Sequence, residues 1–318
     1  MKILIAGGAG YIGSKLIPHL LERGYEIDVL DLFWFGDYLP ENVKRIKKGL
    51  FDLTQDEVKP YEQVIFLAGL SNDPMAEYSP SLNFIHNAAA PAYLGYIAKK
   101  GGVKRFIYAS SCSVYGYTEN ELYDENSPAV SNYPYGISKL QGEQAVIQMQ
   151  DPYFSVICLR QGTVSGYSPR MRLDLIVNTM YKSALLKKVI TVNNPAIWRP
   201  ILGIQDAVTA YVRAIEANQS ISGIFNVASG NFTVGEVADL VRAAIQENLS
   251  MQIELNIKHK QDYRNYKVSI DKARNTLSFK PRYDIDKIVQ DLIAHSDKFK
   301  DLENPRYYNI EIFKNLKF

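Results

Sequence analysis

The chain has 318 residues and a formal net charge of +2, with 47% hydrophobic and 22% charged residues. This composition is typical of a globular protein with one large or two modest domains, and the small net charge argues against a general nucleic-acid binder. There is no run of about 18 apolar residues that would predict a membrane span. Two cysteines and four histidines predict neither a disulfide framework nor a structural metal site.

The first residues are typical of a buried strand rather than of a targeting segment. Met1-Lys2 is followed by only a short apolar run before the glycines begin. A secretory signal needs a longer apolar region and a small-residue cleavage site. We therefore expect the protein to stay in the cytoplasm.

Short apolar runs alternate with amphipathic stretches along the first half of the chain. A helical apolar period indicates a helix, whereas a short continuous apolar run indicates a buried strand. Strands are predicted at 2–6, 26–30, 62–68, 104–109 and 154–160, and helices at 12–23, 85–100 and 134–149. Beyond about residue 165 helices are predicted at 172–190, 206–217, 233–247 and 285–299, with a strand at 224–228 and an exposed Lys-rich tail.

This alternation predicts the fold class. Apolar strands joined by helices form a parallel sheet that is covered on both faces, and right-handed crossovers make that sheet doubly wound. The prediction is an α/β, Rossmann-type sheet with a smaller, interleaved C-terminal α/β domain. We expect the first domain at 1–167, with a return to it at about 201–228, and the smaller domain at 168–318.

A glycine-rich turn lies directly between the first predicted strand and the first predicted helix. Gly7, Gly10 and Gly13 form a GxxGxxG pattern, with Tyr11 and Ile12 between the last two. The first glycine permits a tight turn, the second lets the backbone approach a pyrophosphate, and the third lets the helix pack on the strand. In this context the pattern predicts a dinucleotide-binding loop, with the pyrophosphate at the positive end of the helix.

The residue after the second predicted strand indicates which dinucleotide is bound. Asp31 lies 18 residues after Gly13, where a carboxylate can accept hydrogen bonds from both ribose hydroxyl groups of NAD. The same charge would repel the 2′-phosphate of NADP, and residues 32–40 contain no Arg or Lys to bind that phosphate. The predicted cofactor is therefore NAD.

A serine, a tyrosine and a lysine follow the glycine loop along the chain. Tyr135 and Lys139 are four residues apart, so they share one face of the predicted helix. A phenol has a pKa of about 10, but a nearby ammonium and a positive nicotinamide ring favour the phenolate, which can take a proton from a substrate hydroxyl. Lys139 can also bind the nicotinamide ribose, and Ser111, after a strand end, can stabilise charge on the substrate oxygen.

These residues resemble the extended short-chain dehydrogenase/reductases that act on nucleotide-sugars, the family that contains UDP-galactose 4-epimerase. The resemblance covers nearly the whole chain and includes the glycine loop, Asp31 and residues 110–116. It implies bound NAD, a nucleotide-sugar substrate, and catalysis by Ser111, Tyr135 and Lys139. For the cofactor it further implies contacts from Asp52 and Leu53 at the adenine side, from Leu67, Ala68 and Gly69 along the cleft, and from Asn87 at the nicotinamide half.

The second half carries most of the residues that the resemblance implies for the substrate. Trp198-Arg199-Pro200 is similar to the family segment that holds a diphosphate-binding arginine. The stretches 168–172 and 262–266 are similar to motifs of a less studied branch of sugar-nucleotide C4 oxidoreductases and epimerases. A guanidinium suits phosphate oxygens, and the candidate substrate-binding residues are Ser71, Ser113, Thr163, Arg172, Arg199 and Arg264.

One departure from the family pattern narrows the range of reactions that we expect this chain to catalyse. Related 4,6-dehydratases have an Asp-Glu pair just after the catalytic hydroxyl, and UDP-glucuronate decarboxylases keep a Glu there. This chain has Cys112-Ser113 instead, which provides no comparable acid or base. Cys112 also lacks an adjacent base, so we expect a buried, unreactive thiol. Hydride removal from a sugar carbinol, at C4, needs only Ser111, Tyr135, Lys139 and NAD.

Several alternatives stay open at this point. An epimerase and a net dehydrogenase use the same residues, whereas a reductase that makes a deoxy-sugar nucleotide would more often use NADP. A non-catalytic dinucleotide sensor would not need a Tyr–Lys pair at helical spacing. The resemblance also implies a homodimer through a four-helix bundle of the helices near 88–100 and 134–149, although their apolar faces could equally be core. No metal, nucleic acid or membrane partner is expected.

Overall fold

The fold is that of a computed structural model, which describes residues 1–259 and 264–316. The strands are β1 (Lys2–Ala6), β2 (Glu26–Asp31), β3 (Lys44–Lys47), β4 (Gln63–Phe66), β5 (Arg105–Ser111), β6 (Tyr117–Tyr123), β7 (Ser155–Gln161), β8 (Thr163–Ser165), β9 (Val189–Asn193), β10 (Trp198–Gly203), β11 (Gly223–Val227), β12 (Gly230–Thr233), β13 (Glu254–Lys258) and β14 (Asn265–Val268). The helices are α1 (Tyr11–Glu22), α2 (Gln55–Val58), α3 (Asp73–Tyr78), α4 (Pro80–Phe84), α5 (Ala90–Gly101), α6 (Pro134–Ile147), α7 (Ile176–Lys187), α8 (Ile204–Glu216), α9 (Val234–Leu249), α10 (Asp271–Leu277), α11 (Ile285–Ala294) and α12 (Asn309–Lys314).

Seven of the strands form one parallel sheet in the order β11-β7-β5-β4-β1-β2-β3. The chain builds outward from β1 to β3, then returns to the other side of β1 and continues from β4 to β11. This reversal is a topological switch point, and parallel sheets bind ligands there, beyond the carboxyl ends of their strands. The predicted Rossmann-type, doubly wound α/β fold is confirmed.

Strand β1 shows why both faces of the sheet are covered. Ile3 and Ile5 pack into one apolar core with α1 and α8, whereas Leu4 and Ala6 pack into the opposite core with α5. Successive side chains of a strand point to opposite faces, so a strand that is apolar throughout is buried on both sides. The edge strand β3 escaped prediction because its sequence, KRIK, is mostly charged, as suits an exposed edge.

Three predicted helices differ from the structure. The helix predicted at 285–299 ends at Ala294 and is followed by a 3₁₀ turn, Ser296–Lys298. The helix predicted at 85–100 contains a π-helical turn, Ile85–Ala89, between α4 and α5. The helix predicted at 172–190 begins only at Ile176, and its last residues belong to β9. The β-branched residues of β9 favour a strand, which the apolar period alone did not indicate.

The prediction of an exposed C-terminal tail holds for Lys298, Lys300 and Lys314 but is wrong for the aromatic residues that the structure describes there. The tail folds back on the first half, and α12 packs beside α3. Phe313 is fully buried in a small cluster with Leu70 and Met75. This contact brings the end of the chain to the loop after β4.

The second half contains smaller sheets around an apolar core of its own. Strand β10 pairs with β8 and β12, β9 pairs with β13, and β6 from the first half pairs with β14. Helices α7, α9 and α11 pack together there, whereas α8 and β11 join the large sheet. The domain bounds at 1–167, about 201–228 and 168–318 stay predictions. No helix in the described ranges combines the length and apolar character needed to cross a lipid bilayer.

A buried ion pair fastens α6 to the sheet. The fully buried carboxylate of Glu143 accepts hydrogen bonds from Arg160, on β7, at 2.9 Å from Nε and 2.6 Å from Nη2. Glu143 also accepts from the Ser110 hydroxyl at 2.6 Å, and Arg160 donates to the Tyr115 hydroxyl at 2.8 Å. Loss of either partner would leave a buried, unpaired charge. Because Glu143 lies about one helical turn after Lys139, the pair fixes where Lys139 stands over the strand ends.

Candidate active site

A cavity of about 650 Å³ lies beyond the carboxyl ends of β1, β4 and β5 and reaches into the second half of the chain. Its size suits a small-molecule ligand or cofactor. Most of the predicted site residues line it: Gly7, Gly10, Tyr11, Ile12, Gly13, Leu67, Ala68, Gly69, Ser71, Asn87, Ser111, Ser113, Tyr135, Lys139, Thr163, Arg172, Arg199 and Arg264. The structure therefore brings together residues that are scattered along the sequence.

The glycine loop requires glycine at two positions for steric reasons. Gly7 has a φ of +79°, and a Cβ there would lie 2.4 Å from the backbone nitrogen of Ala68. A Cβ on Gly13 would lie 2.2 Å from the carbonyl oxygen of Gly8. Gly10 is the N-cap residue of α1 and has no side chain to cap the helix. Since the first N–H groups of a helix have no intrahelical partner, this helix start suits an anionic group.

Asp31 is tied to the glycine loop. Its carboxylate accepts hydrogen bonds from the backbone N–H groups of Ala9 at 2.9 Å and of Phe33 at 2.8 Å. Burial raises the pKa of Asp31, and these backbone hydrogen bonds oppose that shift. A carboxylate offers about four acceptor sites, so the side chain keeps capacity for two ribose hydroxyl groups.

Three predicted cofactor contacts, Asp31, Asp52 and Leu53, are not among the residues that line the cavity. The side chain of Asp52 is exposed at the end of a 3₁₀ turn. Leu53 is buried, and its carbonyl oxygen accepts a hydrogen bond from the Tyr93 hydroxyl at 2.8 Å. Their contact with the adenine side stays a prediction.

Asn87 presents a buried acceptor to the cavity. Its Nδ2 donates to the carbonyl oxygen of Leu70 at 2.9 Å and to Asn83 Oδ1 at 2.8 Å, whereas Asn87 Oδ1 has no partner among the described residues. A Cβ on Gly69, whose φ is +131°, would lie 2.1 Å from that oxygen. An unsatisfied buried acceptor costs about 1–3 kcal/mol, so this atom suits a donor on a bound molecule. Together with the glycine loop and Asp31, it fits a dinucleotide.

Ser111, Tyr135 and Lys139 meet on one wall of the cavity. Ser111 ends β5, while Tyr135 and Lys139 lie one helical turn apart in the first half of α6. The Ser111 hydroxyl lies near enough to the phenol of Tyr135 to lower the pKa of that phenol. The Nζ of Lys139 lies 4.4 Å from the centroid of the Tyr108 ring. Helix α6 and the end of β5 thus provide a hydroxyl, a phenol and an amine at one place.

Burial controls the protonation of this group when no ligand is bound. It raises the pKa of Tyr135 to about 12, although the neighbouring Ser111 hydroxyl opposes the shift. Burial also lowers the pKa of Lys139 to about 7, against the effect of the Glu143 carboxylate. The neighbouring lysine therefore does not produce a phenolate by itself. A positive charge placed beside the phenol would lower its pKa again.

The predicted substrate-binding arginines border another part of the cavity. Arg172 forms a two-pronged ion pair with Asp174, at 2.9 and 3.0 Å. The Nη1 of Arg264 lies 2.6 Å from Asp73, and Arg199 donates a hydrogen bond to the carbonyl oxygen of Arg264. Phosphate oxygens are suitable additional acceptors for such guanidinium groups.

Two predicted substrate contacts have polar neighbours from distant parts of the chain. Ser71 Oγ accepts a hydrogen bond from Asn309 Nδ2 at 2.6 Å. Ser113 Oγ lies 3.3 Å from the Tyr266 hydroxyl. Of the stretch 262–266, residues 262 and 263 lie outside the described residues.

Sequence reasoning missed several residues of the cavity wall: Phe35, Asp73, Arg170, Asp174 and Asn309. Asp73 stands between an N-cap asparagine and a proline, which is a helix-start signal that could have placed it in the loop after β4. Arg170 lies in the stretch 168–172, whose similarity to the family could have indicated it. Asn309 and Phe35 carry no local signal, since long-range packing alone brings them to the site.

Cys112 is the unreactive thiol that the sequence predicts. It is buried, and its Sγ donates to the carbonyl oxygen of Arg160 at 3.2 Å. Burial raises the pKa of this thiol far above its usual value, so the nucleophilic thiolate is disfavoured.

We expect the variant Lys139→Met to change how the stability of the ligand-free protein depends on pH. The pKa of Lys139 is about 7 in the folded state against an ordinary 10.5. At pH values between these two, unfolding takes up a proton at Lys139, so the contribution of this residue to the free energy of unfolding becomes more favourable as pH rises. From pH 7 to pH 9.5 the free energy of unfolding of the parent should therefore rise relative to that of Lys139→Met, by up to about 1.4 kcal/mol per pH unit.

Urea titrations at each pH measure this difference. Lys187→Met, at an exposed position on α7, is the matched control and should follow the parent. Parallel curves for the parent and Lys139→Met would contradict the buried-amine account.

Comparison with known proteins identifies relatives of the chain. The sequence profile of the NAD dependent epimerase/dehydratase family matches residues 3–228. UDP-glucuronic acid decarboxylase 3 of Arabidopsis thaliana is 28% identical over 298 residues, which cover 89% of this chain and 85% of the relative. UDP-glucose 4-epimerase 3 of Oryza sativa subsp. japonica is 26% identical over 334 residues, with coverage of 91% and 88%. The solved structure of the Bordetella bronchiseptica enzyme WbmG in complex with NAD superposes with a TM-score of 0.78, at 25% identity and 94% coverage of each chain.

The profile match spans the glycine loop, Asp31, Ser111, Tyr135 and Lys139, and it ends just after β11. The family is one of NAD-dependent enzymes, so the prediction of an enzyme with NAD as cofactor is confirmed. The chain belongs to the NAD dependent epimerase/dehydratase family, as the resemblance in its sequence indicates.

Proposed function

We propose that this chain is an NAD-dependent nucleotide-sugar epimerase or dehydrogenase that removes hydride from a sugar carbinol at C4. One observation carries the proposal: Ser111, Tyr135 and Lys139 line the same cavity as the glycine loop and the arginines. Acid–base groups, a dinucleotide-binding loop and cations for a diphosphate therefore act within one site. A non-catalytic protein that only senses a dinucleotide would not need the acid–base groups.

The chain's own residues move and hold the proton. NAD, when bound, supplies the hydride acceptor and a positive ring that favours the Tyr135 phenolate. Tyr135 takes the proton of the sugar hydroxyl as general base, and the Ser111 hydroxyl stabilises the charge that develops on that oxygen. Lys139 binds the nicotinamide ribose, and in its charged form it lowers the pKa of the phenol. Gly7, Gly10, Gly13 and Asp31 are the proposed contacts for the pyrophosphate and ribose of the cofactor.

The arginines are the proposed contacts for the substrate diphosphate. Arg172, Arg199 and Arg264 face the cavity beyond the catalytic group, and their guanidinium groups can bind phosphate oxygens by paired hydrogen bonds. Ser71, Ser113 and Thr163 complete the proposed sugar contacts. Both curated relatives described above are named for UDP-sugars, so UDP-sugars are the first substrates to test.

The carboxylates of the site favour oxidation and epimerisation over dehydration or decarboxylation. Within the described part of the chain, Asp73 and Asp174 are the carboxylates that line the cavity. Each is held by an arginine, and Ser111 is followed by the inert Cys112. Both carboxylates are thus engaged by arginines, and the residue directly after Ser111 supplies no acid or base to move a proton at a neighbouring carbon.

We further propose that the chain divides into a dinucleotide-binding domain, 1–167 with a return at about 201–228, and a nucleotide-sugar domain, 168–318. The active-site cavity is lined by residues of both parts. We also place the enzyme in the cytoplasm, because its two cysteines, Cys112 and Cys158, are buried free thiols. Fractionation of cells that express the chain tests this location.

Turnover of sugar nucleotides tests the proposed reaction. The parent, supplied with NAD and with UDP-, GDP-, CDP- or dTDP-sugars, should yield either an epimerised sugar by NMR or a keto-sugar with NADH absorbance. For the active substrate, Tyr135→Phe should lower kcat by about 10²- to 10⁴-fold, because it removes the general base. Tyr117→Phe, at a tyrosine that is 54% exposed, is the matched control and should keep full activity. Equal kcat values for the parent and Tyr135→Phe would overturn the assignment.

We propose a homodimer formed through α5 and α6. These helices pack side by side, and Tyr96 on α5 leaves 54% of its surface exposed. Two helices from each subunit would form a four-helix bundle that buries these rings. By sedimentation, Tyr96→Glu should convert a dimeric parent to monomer because it buries an unpaired charge, whereas Tyr117→Glu should not. A parent that is monomeric at micromolar concentration would refute the dimer.

A further inference from the structure

Arg170 is a buried arginine whose charge has no carboxylate partner in the described part of the chain. It lies in the segment between β8 and α7, and only 2% of its surface is exposed. Its backbone N–H donates to Ser14 Oγ at 3.2 Å, and its Nη2 donates to Asn309 Oδ1 at 2.5 Å. Its guanidinium carbon lies 4.2 Å from the centroid of the Phe35 ring. Its Nε has no hydrogen-bond partner, and none of the described carboxylates forms an ion pair with it.

Comparison with Arg172 shows that this arrangement is unusual within the same segment. Both side chains are buried, but Arg172 is neutralised by the two-pronged pair with Asp174. A buried cation without a counter-charge is costly, and burial lowers the pKa of Arg170 to about 9. An anion bound beside Arg170 would offset that cost.

The position of Arg170 indicates which anion it binds. It lines the cavity together with the glycine loop and the start of α1, a helix of twelve residues. Its charge is close enough to lower the pKa of Asp31, and Phe35 belongs to the loop that follows Asp31. This is the end of the cavity proposed for the adenosine and pyrophosphate of the cofactor. The substrate arginine Arg264, by contrast, is paired with Asp73.

We propose that Arg170 binds the diphosphate of the dinucleotide from the side opposite the glycine loop. The assignment rests on the proposed function, because it takes the glycine loop as the dinucleotide site. The diphosphate would then lie between the positive end of α1 and a guanidinium from the second half of the chain. Asn309 is a positioning residue: it accepts from Arg170 and donates to Ser71 at 2.6 Å, so the C-terminal helix orients the arginine.

Arginine-to-methionine variants separate a role of Arg170 in binding from a purely structural role. Titration calorimetry of the full chain measures NADH, ADP-ribose, which keeps the diphosphate, and adenosine, which lacks it. Arg170→Met should weaken NADH and ADP-ribose by about 10- to 100-fold, the loss expected for charge-assisted hydrogen bonds, and should leave adenosine unchanged. Arg274→Met, at an exposed position on α10, is the control and should keep the parent's affinity for ADP-ribose.

Thermal unfolding of the ligand-free variants gives a second readout. Removal of an unpaired buried charge should leave the melting temperature of Arg170→Met equal to that of the parent or higher. Arg172→Met should melt at a lower temperature, since it leaves Asp174 without its partner. A purely structural Arg170 would instead lower the melting temperature and weaken adenosine and ADP-ribose alike.

The outcomes separate this assignment from the proposed function. If the parent binds ADP-ribose and Arg170→Met binds it equally well, the assignment to Arg170 is overturned while the proposed function stands. If the parent binds neither NADH nor ADP-ribose, both are overturned.

Discussion

The ion pair between Glu143 and Arg160 joins the helix that carries the acid–base residues to the strand beside which they act. Both side chains are buried, and each has a further hydrogen-bonded neighbour in Ser110 or Tyr115. The chemistry proposed for Tyr135 depends on this attachment, because a catalytic group misplaced by about 1 Å can lose 10²-fold in rate. The same carboxylate is a charged neighbour of Lys139 and partly sustains its protonation.

The cavity contains several polar groups whose burial is unfavourable until a ligand arrives. The amine of Lys139, the guanidinium of Arg170 and the Oδ1 of Asn87 are each buried without a full set of partners. A bound dinucleotide would supply hydroxyl, phosphate and amide groups as partners for these buried groups. Ligand binding thus offsets the unfavourable free energy of burying these polar groups in the ligand-free fold. Such a conflict is common where the same residues serve both function and stability. Arg172 and Arg264 differ, since carboxylates already neutralise them.

Local patterns in the sequence were sufficient to predict the parts of the site that lie on or next to regular helices and strands. The apolar β1, the glycine turn and Asp31 follow one another within a short stretch, and the helical spacing of Tyr135 and Lys139 is a local property. Each of these was predicted by residue number. The packing of the glycine turn, Tyr135 and Lys139 into one cavity follows from the parallel sheet, whose carboxyl ends share one edge.

The features that could not be predicted depend on contacts between distant residues. Strand β3 has a charged sequence that only its position at the sheet edge explains. The approach of Asn309 to Ser71 spans 238 positions of sequence, and the burial of Phe313 has no signal in the Lys-rich tail around it. The ion pair between Asp73 and Arg264 likewise becomes visible only once the two halves are packed together.

The central claim is that hydride passes from the sugar carbon to a nicotinamide held beside Tyr135. Deuterium at C4 of the substrate found in the turnover panel tests it directly, in a single turnover quenched while the keto-sugar is present. The account predicts a nicotinamide that is heavier by one deuterium, as measured by mass spectrometry. Deuterium released to water, or retained on the sugar while the product forms, would contradict it.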